Sequence, residues 1–165
     1  MQAAWPAARV VGLDTDEASV AEARANAAQA GVDVAFELVP DGLAPDFTPY
    51  GPADVVLVLE ALHDMAQPAA VLRAAREALA PGGIVVVADE CVAHEFTAPG
   101  DDLERMMYGW SVTHCLPASR AEQPSEAIGT VIRPDTVARL ATEAGFATCE
   151  VVDVDAGFFR LYRLA

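Results

Sequence analysis

Apolar residues along this chain fall into two patterns that alternate. Arg9–Asp14, Asp54–Leu59 and Ile84–Asp89 are short, nearly continuous apolar runs rich in Val and Leu. Runs of that length read as strands covered by helices on both faces of a parallel sheet. Between them lie stretches with helical spacing. Glu17–Ala30 is the first, with Thr15 or Asp16 placed to cap its start and Gly31 to end it in the left-handed conformation. Gln67–Leu79 is the second, its inward positions being Val71, Leu72, Ala75 and Leu79. Val34–Val39 reads as a further strand, Pro40-Asp41-Gly42 as a turn, and Ala80-Pro81-Gly82-Gly83 as a break before the strand at Ile84.

The pattern changes after Cys91. Asp101–Leu116 predicts a helix with two acids in its first turn, which suits the helix dipole, and with Leu103, Met106, Met107, Trp110 and His114 on one face. Ala118–Thr130 reads as loop. Pro134–Ala144 predicts a helix begun by Pro and ended by Gly145, and Thr148–Val152 and Phe158–Arg163 predict two strands around Asp155-Ala156-Gly157. The alternation predicts an α/β fold: a Rossmann-like, doubly wound, mostly parallel sheet with a C-terminal antiparallel hairpin. It is expected as one domain over 1–165, with a helical insert at about 91–133.

Composition narrows the function. A formal charge of −15, with ten Arg and no Lys, argues against nucleic acid and against an anionic membrane surface. The three cysteines, Cys91, Cys115 and Cys149, are widely spaced, which speaks against a disulfide framework or zinc site and for a reducing cytoplasm. The start, Met1–Pro6, lacks the basic and apolar segments of a signal peptide, and the longest apolar runs are too short to span a bilayer. The three histidines are too scattered to propose a metal site.

Several motifs, taken in order, resemble the class I S-adenosylmethionine (SAM) dependent methyltransferases. Val10-Val11-Gly12-Leu13-Asp14 resembles that family's second strand and its ribose-binding acid. Pro40-Asp41-Gly42 resembles the turn that meets adenine, and Asp54 to Asp64 the fourth strand with its following loop. Leu79 to Val86 resembles the turn into the fifth strand, and Ala144-Gly145-Phe146 the end of the last helix. The family's first strand and Gly-x-Gly loop have no counterpart in these residues, and Met1–Pro6 resembles the last turn of the helix that follows them. In the family that strand lies between the strands here ending at Asp14 and Leu59. Losing its ladder bonds, roughly 1 kcal/mol each, and its buried side chains, about 1.5–3 kcal/mol each, rivals a whole domain's stability of about 5–15 kcal/mol. The expectation is a marginal fold, or direct pairing of the two orphaned strands.

The resemblance implies SAM as cofactor, a small-molecule acceptor, and the following roles. Asp14 would accept from the ribose hydroxyls, against the plainer reading of a helix cap. Asp41 would accept from the adenine amino group while Gly42 lets the backbone approach, against an ordinary turn. Glu60, at the carboxyl edge of a strand, would border the methionine portion or the substrate, against a merely solvated acid. Leu62-His63-Asp64 resembles the Leu-His-Asp of plant-type O-methyltransferases and makes His63 the candidate general base, although Met65 stands where that motif has Trp. Tyr108, Trp110 and His114 are candidates for substrate contact or for core. The leading function is SAM-dependent methyl transfer, O-methylation among the options. The alternatives are a truncated or degenerate relative without activity on its own and, third, a nicotinamide-dependent dehydrogenase. Exposed strand edges also suggest a homo-oligomer.

Overall fold

A computed structural model describes residues 4–39 and 46–165. They belong to two compact units, Met1–Pro45 and Asp46–Ala165. The first is a β-α-β unit: β1 (Val10–Asp14), α1 (Glu17–Ala30) and β2 (Val34–Leu38), with β1 and β2 parallel in the register Val10↔Val34 to Asp14↔Leu38. Helix α1 starts and stops where its end residues dictate. The Asp16 carboxylate accepts from the Ser19 N–H at 2.7 Å, and Gly31 takes φ 65°, a conformation that costs a residue without Cβ nothing. The Arg24 guanidinium donates to the Phe36 carbonyl and joins the helix to β2.

The second unit holds a four-stranded sheet in the order β3-β4-β6-β5: β3 (Ala53–Leu59), β4 (Leu79–Glu90), β5 (Cys149–Val151) and β6 (Phe159–Leu164). β3 and β4 are parallel, whereas β6 runs antiparallel to both β4 and β5, forming the expected hairpin. Helices α2 (Pro68–Glu77) and α5 (Pro134–Ala144) cover one sheet face. There Leu72, Val85, Val87, Val137, Leu140 and Leu164 are fully buried. The alternate residues of β3 are not covered: Val55, Leu57 and Leu59 are 42%, 39% and 58% exposed. Within the first unit β1 pairs with β2, and within the second β3 pairs with β4.

Three elements differ from the sequence reading. β4 begins at Leu79, not Ile84. Its pairing with β3 jumps from Ala53↔Leu79 to Val55↔Ile84, so Ala80–Gly83 is a bulge inside a strand. Gly83 is required there, because a Cβ would lie 2.7 Å from the Ala53 carbonyl oxygen. The insert is α3 (Asp102–Trp110), a π-helical turn over Ser111–Cys115, and α4 (Leu116–Ala121), which occupies part of the predicted loop. Its buried row is Glu104, Met107, Ser111, Cys115 and Ser119, while Met106, Trp110 and His114 face solvent. The inward face is thus turned by about one position from the apolar stripe, because Glu104 has a buried cationic partner. No helix among the described residues is long and apolar enough to cross a membrane.

Candidate active site

The parallel pairing of β3 and β4 brings the site together. Both strands deliver their carboxyl ends to one edge, with Leu59 opposite Ala88. The chain then leaves β3 through Glu60, whose backbone is left-handed at φ 50°, and closes a 3-10 turn over Leu62–Asp64. β4 runs two residues further, to Asp89 and Glu90. His63, distant in sequence, is therefore set against both acids. The three are 2%, 0% and 3% exposed.

His63 Nδ1 lies 2.5 Å from Asp89 Oδ1 and 3.3 Å from Glu90 Oε2, and its Nε2 lies 3.4 Å from Asp64 Oδ1. Asp89 Oδ1 also accepts the Glu90 backbone N–H at 3.2 Å. This contact assigns the Nδ1 hydrogen to the side facing Asp89, so in the neutral ring the lone pair is at Nε2. Burial alone would hold the imidazole below its ordinary pKa. The hydrogen bond and charge of Asp89, then the charges of Glu90 and Asp64, outweigh burial and raise it. Burial and a hydrogen bond with Asp89 push the Glu90 carboxyl up to about 8, against the pull of His63. Cys115 stands close by: His63, Asp64 and Cys115 form one group of donors, and His63, Asp89 and Glu90 a second, each with its atoms within 4.8 Å of one another. The sequence reading missed Asp89 and Glu90. Their signal was the one applied to Glu60, acids closing an apolar strand at the ligand-binding edge.

The remaining candidates are separate. Asp14 ends β1 in the first unit, exposed, and accepts the Asp16 N–H at 2.9 Å. Asp16, not Asp14, is the helix cap. Asp41 and Gly42 lie outside the described residues. Glu60 is exposed although it is only three residues from buried His63. Trp110 and His114 are exposed as well, and the Tyr108 hydroxyl is occupied, donating to Glu104 Oε2 at 2.5 Å and lying 2.8 Å from the Thr97 carbonyl.

A second buried polar group fastens the insert beside this edge. Glu104 accepts the Ala93 N–H at 2.6 Å through Oε1 and the Arg133 guanidinium at 2.9 Å through Oε2. Arg133 also donates to the carbonyls of Ala93 and Glu95. One ion pair therefore ties α3, the segment after β4 and the start of α5. Burial opposes the Glu104 charge, but Arg133, Tyr108 and the Ala93 amide prevail and hold its pKa below the usual value.

These shifts set a pH dependence. Glu90 and His63 both bind protons more tightly when folded, with pKa values raised above 4.5 and 6.5. Their contributions are complete below those values and are lost as pH rises through the folded ones, about 8 for Glu90. Glu104 acts in the opposite sense, its contribution being lost in acid. Stability should therefore peak in the mildly acidic range and decline towards pH 9. Thermal melts at pH 5.5, 7 and 9 check this, and a midpoint that holds or rises over that range would contradict it.

The geometry is that of a class I methyltransferase fold, and comparison bears this out. The family model described as a methyltransferase domain matches residues 2–145, so the chain belongs to that family. Ubiquinone biosynthesis O-methyltransferase of Caulobacter sp. (strain K31) is 32% identical over 85 residues, covering 48% of this chain and 31% of that protein. Among solved structures, TnmH matches with a TM-score of 0.70 and 26% identity, over 99% of this chain and 44% of its own. PigF, solved with SAH, matches with a TM-score of 0.65 and 19% identity, over 99% and 45%. The chain thus spans less than half the length of these proteins.

Proposed function

We propose that this chain serves SAM-dependent methyl transfer to a hydroxyl group of a small molecule, with His63 as general base. The observation that carries the reading is the buried His63–Asp89 pair at the carboxyl edge of the sheet in a methyltransferase-domain chain. SAM supplies, when bound, a methyl group activated by its sulfonium. The acceptor oxygen must shed its proton near neutral pH. His63 Nε2 takes it, while Asp89 fixes the ring through Nδ1 and faces the positive charge that forms. Asp14, exposed at the tip of β1, suits the ribose hydroxyls. Glu60 would border the methionine portion or the acceptor, and Asp41 and Gly42 the adenine. Holding donor and acceptor in line is worth about 7–11 kcal/mol and is the protein's main task.

Calorimetric titration with SAM and with S-adenosylhomocysteine is the test. Saturable binding is expected, weakened about ten- to a hundredfold by Asp14→Asn through loss of a charged hydrogen-bond partner. The other reading, a methyltransferase-like chain inactive by itself, is favoured by the uncovered Val55, Leu57 and Leu59. A titration without heat at millimolar cofactor would select it.

A further inference from the structure

Glu90 has no part in the chemistry above, yet it is 3% exposed and its nearest cationic partner, His63 Nδ1, is already engaged by Asp89. With both carboxyls counted as acceptors, Asp89 Oδ2 and Glu90 Oε2 are each buried without a hydrogen-bond partner. Buried carboxyl oxygens on consecutive residues in that condition call for a proton or a cation to satisfy them. A divalent ion bound by His63, Asp89 and Glu90 fits poorly, since ligands on one tetrahedral centre at about 2.0–2.1 Å stand roughly 3.3 Å apart. His63 Nδ1 and Asp89 Oδ1 are 2.5 Å apart, a spacing that only a hydrogen bridges.

We propose that Glu90 is a positioning residue held as a neutral acid, whose proton it shares with Asp89. The inference deepens the reading of His63 as base and rests on it for its purpose. Asp64 and Asp89 already flank the two ring nitrogens. A third carboxylate at 3.3 Å would keep the imidazole protonated and useless as a base. A neutral Glu90 can donate to the Asp89 carboxylate without adding charge, and so leaves His63 able to take a proton from the acceptor and return it to solvent. The groups around this carboxyl pair are His63 and Asp64 from the 3-10 turn, Cys115 from the π-helical turn, and Tyr162 and Arg160 from β6, Arg160 standing opposite Asp89 in the ladder. The carboxyl's upward displacement to about 8 agrees with the geometry.

Two measurements on the whole chain, neither needing turnover, test this. Infrared spectra of the wild type at pH 6–7 should show one buried carboxylic acid carbonyl band that fades as pH passes about 8 and is missing in Glu90→Gln. NMR titration of the His63 ring in the wild type should show the imidazole step and a further, smaller change as Glu90 loses its proton near pH 8. In Glu90→Gln, which keeps a neutral group beside the ring, the imidazole step should stay in place and the smaller change disappear, whereas replacing an ionised Glu90 would move that step down by about one pH unit. Absence of the wild-type band overturns the proposal even if the variant does not fold, and an imidazole step that falls by about one pH unit in a folded variant overturns it. A chain that failed to bind SAM would end the functional reading and leave both signals in place.

Discussion

Glu104→Ala should lower the unfolding free energy by about 3–5 kcal/mol, the cost of leaving a buried charge without its partner. Arg133 is only 12% exposed at its side chain, and Glu104 3%. Deleting the carboxylate strands the guanidinium, removes the acceptor of the Ala93 N–H and frees the Tyr108 hydroxyl. Urea denaturation followed by circular dichroism measures the loss. Glu104→Gln keeps an acceptor oxygen and should cost less. Glu104→Ala with Arg133→Met should be more stable than Glu104→Ala alone, because it removes the orphaned charge as well. If the double variant is the weaker of the two, the pair is not what holds α3 to α5.

His63→Ala should reduce kcat/KM for a hydroxyl acceptor by about 10²–10⁴-fold, the range of a positioned general base. SAM binding should remain within a few fold, since the substitution removes a proton acceptor and no cofactor contact. The wild-type rate should climb with pH as the raised imidazole pKa is passed, and that limb should vanish in the variant. An acceptor already ionised at neutral pH should be spared most of the loss. Circular dichroism controls for the packing effect of emptying a site 2% exposed. A variant that methylates a neutral alcohol at the wild-type rate would exclude His63 from the reaction.

Much of the architecture was legible because local rules and tertiary needs agree. Asp16 and Gly31 end α1 where capping chemistry says they should, and Pro134 and Gly145 frame α5. Apolar runs became strands of parallel pairs, and the turn at Asp155–Gly157 joins an antiparallel hairpin. Legibility failed where a distant partner reversed a local preference. Of the stripe Leu103, Met106, Met107, Trp110 and His114, Met107 is fully buried, but Met106, Trp110 and His114 turned outward because Arg133, twenty-nine residues beyond Glu104, buries an acid in the inward row.

The same division holds at the site. From the sequence alone came the fold class, the family resemblance and His63 as the candidate base, since periodicity, end residues and a short motif are local properties. Only the folded chain revealed what controls that imidazole. Asp89 and Glu90 reach it because β3 and β4 are parallel and in register, a long-range pairing that no neighbouring residue encodes. Protonation depends on burial and on charges a few ångströms away, and both are properties of that assembled edge rather than of residue order.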